Sequence, residues 1–487
     1  MIRRSINAGL LAFAVATPAL SQNPRDLVVR AVDAMGGESA LRSLNGLQSD
    51  FQQQVFSVGQ SELPESPPRA TISYGKVWHD YQGGRRAFTS ENRALTGAVA
   101  RQRQSIAATG GVNEVNGNQN PLGQGAINNQ MRQLRTGPER LMLTALDNPG
   151  TLSALPPRNL RGQPADGIRM AGQDTVNIFF DRVTGLPLVV EAVTDDPILG
   201  DRSTQTWLTR WMPAGPVKLP RQVDIRLNDQ QQIQVYFTAV NANPALPDSV
   251  FAIPDSIARR AQAAPPPAPP TITVQLIQLG PSVWRAEGSS HHTLVVEQPD
   301  QIVLVEAPQS TQRVRAVIDT IRSRFPGKRI GVAVMTHYHW DHSGGIREVV
   351  AEGIPIATME ANAAFVRQLA QARRTIQPDN QARRRRNPTL RTFTDSMVIG
   401  SGPTMVVLYR QPTTHAEGVL SAWVPSAGVL FTSDVVNPGG QGQVPPLGSS
   451  ELVALTRARG IAPQKYAGGH GVVVDWPNIE RAAAQQQ

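Results

Sequence analysis

Residues 336–345, THYHWDHSGG, gather His337, His339 and His342 around Asp341, in a chain that has only eight histidines. The apolar run VAVMT before them reads as a strand, and alternation along extended chain turns His337 and His339 the same way. Two imidazoles so placed can share one metal ion. Asp341 and His342 fall on the turn beyond, where Ser343-Gly344-Gly345 opens a helix, so they can face a second ion close to the first. Neutral imidazole nitrogen and carboxylate oxygen are the ligands zinc takes in catalytic sites. Strands alternating with helices around this motif would fit two sheets with helices on both outer faces, and spacing alone leaves the layer order open.

At 487 residues the chain is too long for one ordinary domain. The clearest boundary is residues 259–271, RRAQAAPPPAPPT, where prolines remove backbone donors and favour a semi-rigid spacer. This divides residues 23–258 from 272–482. In the first unit, DLVVRAVDAMGGESALRSL carries a helical apolar stripe. Alternating segments such as TVNIFFD, LPLVVEAV, STQTWLTRW and QQIQVYFTAV follow, separated by Gly, Pro and Asn turns. A mainly antiparallel β domain with one or two helices is expected, with a mobile Gly- and Asn-rich insertion at about 101–137. A helix packed on a curved antiparallel sheet is similar to periplasmic lipoprotein-carrier half-barrels. That resemblance implies an apolar groove for a lipid or small ligand, while a purely structural module fits the same pattern.

The second unit alternates strands and helices: the hairpin HTLVVE and IVLVEAP, the helix STQRVRAVIDTIRSRF, the strand RIGVAVMTH, and then IREVVAEG, IPIATM, EANAAFVRQLAQARR, TMVVLYR, VLSAWVP and GVLFTSDVV. His415, Asp434 and His470 each follow one of the apparent strands, where loops gather at one edge of a sheet. With these three partners, the His-x-His-x-Asp-His run resembles the metallo-β-lactamase-fold hydrolase superfamily over nearly all of 272–482. The resemblance implies an αββα sandwich with its site at the rim between two sheets. It also implies two Zn2+ ions, or another divalent metal. His337, His339 and His415 would hold one ion, Asp341, His342 and His470 the other, and Asp434 would bridge them. His339 stands where flavodiiron members carry glutamate, which favours zinc over redox iron, and a chain without cysteine cannot belong to the cysteine-ligand β-lactamases. Two cations about 3.5 to 4 Å apart bring a shared water towards ionisation near neutral pH. The expected reaction is hydrolysis of an ester, lactone, thioester or amide by a metal-bridging hydroxide, with Asp341 orienting it and moving its proton. The alternatives are a β-lactam hydrolase of the cysteine-free type, or a lipid- or small-ligand-binding protein whose metal domain is inactive.

Five further residues enter as candidates. His291 and His292, before the first hairpin strand, are candidate substrate contacts or exposed hairpin histidines, and Glu306 is a candidate buttress to the metal ligands. Arg383 and Arg384, in RRTIQPDNQARRRRNPTLR, belong either to a basic lid for an anionic substrate or to a disordered, solvated loop. His79 has no partner cluster and reads as structural. The net charge of +9 comes almost wholly from arginine and is scattered, which fits solvated surface, so a small-molecule substrate is expected and nucleic acid is not. The start MIRRSINAGLLAFAVATPALSQNP has a basic end, an apolar core too short for a bilayer and a small-residue cleavage site, as in a signal peptide over 1–21. Export to the periplasm or medium without a transmembrane anchor is the corresponding expectation.

Overall fold

The computed structural model describes residues 23–93, 97–263 and 272–486. The expected signal peptide and the proline-bearing part of the spacer, 264–271, lie outside the described residues. No helix among those described is long and apolar enough to cross a membrane.

The N-terminal unit is built on one 13-stranded sheet. Its first strand, Gly46–Phe56, lies between Ala70–Asp80 and the last strand, Gln230–Ala242, and pairs antiparallel with both. Successive hairpins extend the sheet outward to edge strands Asn118–Pro121 on one side and Leu152–Leu160 on the other. The helix Pro24–Ala34, capped by the Asn23 side chain, buries Leu27, Val28, Ala31 and Val32. That stripe packs with Leu141 and Met142 of the helix Pro138–Asp147 against Ile168, Ile178 and Phe180 of the sheet.

Two expectations about this unit are corrected. The insertion at about 101–137 is ordered: strands Val99–Ala107, Gly110–Val115 and Asn118–Pro121 lead into the helix Gln124–Thr136. The Gly- and Asn-rich composition that suggested mobility supplies turns instead. Asn116 and Gly117 both take positive φ, 49° and 86°, as a two-residue hairpin turn of the primed kind requires. Arg259 to Ala263, assigned to the spacer, are the last residues of a helix, Asp255–Ala263, because the segment before the first proline is rich in Ala, Arg and Gln. A hollow of about 870 Å³ on the sheet is lined by Asp50, Lys76, Glu91, Arg101, Arg103 and Glu114 among others. An acyl chain laid there would strip water from charges of both signs.

The C-terminal unit has a 7-stranded and a 6-stranded sheet face to face. Between them lies an apolar layer that includes Val303, Val305, Val332 and Val334 from one sheet and Leu408, Leu420, Ala422 and Phe431 from the other. The alternate residues Ile302, Leu304 and Ala333 point outward, under the helices Thr311–Arg324, Ile346–Glu352 and Ala363–Gln371. Helices Pro446–Arg459 and Trp476–Ala484 cover the second sheet in the same way. The result is an αββα sandwich, and runs such as IVLV, Ile302 to Val305, are apolar throughout because both faces of the strand are covered.

The arginine-rich segment is structured rather than a disordered loop. Asp379 caps a short helix, Asn380–Arg384, and accepts from the fully buried Arg347 at 2.6 and 2.9 Å. Arg374 bonds both Asp379 and Asp195, the latter a residue of the N-terminal sheet, at 3.0 Å through its Nε. Arg384 is held by Glu352 and the Ala351 carbonyl, at the C-terminal end of the helix Ile346–Glu352. The turn after Asp195 continues this contact. Thr375 N donates to Asp201, and Ile198 enters the apolar core of the C-terminal unit.

Truncating one partner of a buried, doubly bonded pair strands the other charge. Asp379→Ala is expected to cost about 3 to 5 kcal/mol in denaturant unfolding, and a loss below about 1 kcal/mol would contradict the assigned pairing. Arg347 and Arg374 hold the Asp379 carboxyl below its usual range even though burial opposes this, so the contribution is present at neutral pH and is lost on acidification through that depressed pKa.

Candidate metal centre

The strand Arg329–Val334 delivers residues 335–339 in extended form to the rim of the sandwich, and Trp340–Ser343 then turns into one helical turn. His337 and His339 are buried, with ring centroids 4.6 Å apart. His415 comes from the loop after Val406–Arg410, Asp434 follows Val429–Thr432, and His470 follows Lys465–Gly468. Each of those strands is short and mostly buried, and the loops beyond them carry these residues to the same edge.

Two ligand groups result. His337, His339, His415 and Asp434 bring their ligand atoms together in one; His291, Asp341, His342 and His470 do so in the other. In the first, His415 Nε2 is 2.9 Å from His339 Nδ1; in the second, His470 Nε2 is 3.2 Å from His342 Nε2. Asp434 lies between them, its Oδ2 at 2.9 Å from His342 Nε2 and 3.4 Å from His415 Nε2. Asp341 Oδ2 is 3.4 Å from His342 and 3.3 Å from His291.

Outer partners fix the rings. Glu306 Oε2 and Ser433 Oγ both lie 2.7 Å from His342 Nδ1, leaving Nε2 free for the centre. Thr336 Oγ1 is 3.1 Å from His337 Nδ1, and Glu306 also accepts from Thr336. Glu306 and Asp434 both sit at positive φ, 87° and 59°, a conformation that costs a non-glycine residue energy and recurs at functional sites.

The electrostatics call for a cation. Burial alone would raise the Asp434 and Asp341 carboxyls, but hydrogen bonding to histidines holds both far below the usual range. Burial would also lower His342, yet the Glu306 charge and the bonds to Asp341 and Asp434 leave it well above its ordinary value. His470 is raised by Asp434 against the same burial. Burial presses His337 well below its usual value and His339 down to about 4, so both are neutral and fit to ligate. The buried His337 Nε2 has no hydrogen-bond partner, and it points among nitrogens and carboxylate oxygens of the same donor type. A divalent cation supplies what that atom lacks, and the donor set suits zinc.

All seven residues expected to ligate are thus brought to one rim. His291, expected at the substrate, stands inside the second ligand group. His292 does not: its N–H donates to the Gly469 carbonyl at 2.9 Å, and burial pushes its imidazole down to about 4. Glu306, read as a candidate buttress, bonds His342 and Thr336 and brings an oxygen near ligand atoms of His337 and His342. Arg383 and Arg384 lie in the short helix Asn380–Arg384, where Arg384 pairs with Glu352. His79 is half-buried in the N-terminal unit beside Arg86. Gln60 and Ser61 are an unforeseen addition from the N-terminal unit, because Gln60 donates to Asp341 at 2.7 Å and His339 Nε2 lies 2.8 Å from the Ser61 carbonyl. Nothing in the spacing of residues 57–69 marks them for this role.

Residues 286–475 match the family model of the Metallo-beta-lactamase superfamily. The chain is similar to the 2,4-dinitroanisole O-demethylase subunit alpha of Nocardioides sp. (strain JS1661), with 26% identity over 192 residues. That match takes in 39% of this chain and 55% of the other, so the chain spans about half the length of that relative. Among solved structures, a metallo-beta-lactamase from Pontibacter korlensis is 19% identical, with 44% of this chain and 100% of that chain covered and a TM-score of 0.34. One from Hirschia baltica is 16% identical, with 43% and 96% covered and a TM-score of 0.33.

Glu306→Gln keeps the shape of the buttress and removes its charge. It should weaken zinc binding by about 10- to 100-fold in competition with a chromophoric chelator, and an unchanged affinity would remove Glu306 from the centre.

Proposed function

We propose that this protein is an exported dinuclear zinc hydrolase acting on an ester, lactone, thioester or amide bond of a small molecule. The observation that carries the reading is Asp434, a buried carboxylate shared between two histidine groups that each offer a full set of ligand atoms. Export is supported by the sequence pattern of residues 1–21. When bound, a zinc pair would supply Lewis acidity towards a carbonyl oxygen and would lower the pKa of water.

The chain's own groups do the rest. His337, His339 and His415 would hold one ion and Asp341, His342 and His470 the second. Asp341 is the ligand carboxylate most open to solvent, and it stays ionised because its neighbours hold its pKa down. It can therefore accept a hydrogen bond from the attacking water and fix its direction. His291, 3.3 Å away, can take part in moving the released proton towards the leaving group. The charged lining of the hollow in the N-terminal sheet gives little support to the alternative of a lipid carrier.

The test uses zinc-loaded protein and a panel of a lactone, a thioester, an aryl ester, a phosphodiester, a chromogenic β-lactam and 2,4-dinitroanisole, with and without chelator. The β-lactam represents the cysteine-free lactamase alternative, and the aryl ether is the compound for which the Nocardioides relative is named. Chelator-sensitive turnover of the lactone, thioester or aryl ester is expected. Turnover of the phosphodiester or the ether alone would overturn the bond assignment, turnover of the β-lactam alone would select the cysteine-free lactamase alternative, and a chain that binds no zinc would overturn the metallohydrolase reading. Asp341→Ala should lower kcat on the accepted substrate by about 10²- to 10⁴-fold, and an unchanged rate would remove its assigned role.

A further inference from the structure

We propose that the loop 57–69 of the N-terminal unit is a working part of the metal centre: Gln60 positions Asp341, and the Ser61 carbonyl fixes the ring of His339. The inference rests on the metallohydrolase reading and adds to it a contribution from outside the superfamily domain.

The loop joins the strands Gly46–Phe56 and Ala70–Asp80. Each of four successive residues in it meets a ligand-bearing segment. The Gly59 carbonyl accepts from Trp340 N at 3.4 Å, and Gln60 Nε2 donates to Asp341 Oδ1 at 2.7 Å. The Ser61 carbonyl faces His339 Nε2 at 2.8 Å and also accepts from Tyr338 Oη. The Glu62 carbonyl accepts from Glu417 N at 2.8 Å. Further along, Arg69 donates to the carbonyls of Thr414 and His415 at 3.1 and 3.0 Å. The loop therefore ties the segment 338–341 to the segment 414–417, and so ties His339 to His415.

Two features separate this from a casual domain contact. Ser61 is buried although it lies in a loop, and its carbonyl orients the ring nitrogen of His339 that faces away from the centre. A donated hydrogen bond there fixes the tautomer, leaving Nδ1 as the lone-pair nitrogen towards His415 and Asp434. Gln60 does the equivalent for the carboxylate. It occupies Oδ1 of Asp341 and leaves Oδ2 facing His342 and His291. The approach is close enough to require glycine: Gly59 has φ +77°, and a Cβ there would lie 2.3 Å from the Trp340 ring.

The test measures zinc affinity by chelator competition and kcat and KM on the accepted substrate, using the full chain throughout. Gln60→Ala removes one side-chain bond at the rim, and Gly59→Val displaces the loop. A third variant, Asp195→Ala, loosens the other interdomain contact, at Arg374, without touching the centre. Gly59→Val should weaken zinc binding by about 10- to 100-fold, and Gln60→Ala should lower kcat by about 10-fold with little change in KM. Asp195→Ala should match wild type in zinc affinity, which a merely structural role for the loop would not predict. Wild-type affinity and kcat in both loop variants would overturn the proposal, as would faster turnover, which would make the loop an obstruction. Gln60→Ala decides the matter even if Gly59→Val fails to fold. A wild-type chain that binds no zinc removes the metallohydrolase reading and this inference with it, an outcome distinct from the other two.

Discussion

The sandwich's rim holds an arrangement that is unfavourable on its own: imidazoles and carboxylates packed together, several of them buried, with one buried nitrogen left without a partner. Such a cluster is costly unless the charges are paired, and a shared cation pairs them all at once. Much of the surrounding structure serves to hold it. Two sheets packed over an apolar layer fix the strand ends from which the ligands project. Glu306, Ser433 and Thr336 then orient individual rings, and the strain at Glu306 and Asp434 is borne by that packed frame.

The N-terminal sheet meets this frame in two places of different character. At the turn near residues 195–201 the contact is a buried ion pair with apolar backing, Arg374 with Asp195 and Ile198 in the neighbouring core. At the loop 57–69 the contact is a row of hydrogen bonds to the ligand-bearing segments themselves. The first fixes how the units dock, and the second joins that docking to the geometry of the centre.

The site was legible in the sequence where its residues lie close together or follow buried strands. His337 to His342 form a local motif, and His415, Asp434 and His470 each sit just beyond an apolar run that can only be a covered strand. The layering of the C-terminal unit was legible for the same reason, since continuous apolar strands demand cover on both faces. What could not be read depends on contacts between distant segments. Gln60 and Asp341 are 281 residues apart, and nothing about SVGQSELPESPPR distinguishes it from an ordinary Gly- and Pro-containing loop. Composition misled in two further places. The Asn116-Gly117 pair is a hairpin turn rather than a mark of mobility, and two of the arginines after residue 373, Arg374 and Arg384, pair with Asp195, Asp379 and Glu352 in a structured segment rather than a disordered loop.

The most direct test of the account is anomalous diffraction at the zinc edge from crystals of the full chain grown with zinc. Two adjacent peaks are predicted at the rim, one flanked by His337, His339 and His415, the other by Asp341, His342 and His470, with Asp434 between them. The absence of anomalous density at that rim, or zinc held only elsewhere on the molecule, would contradict the central claim.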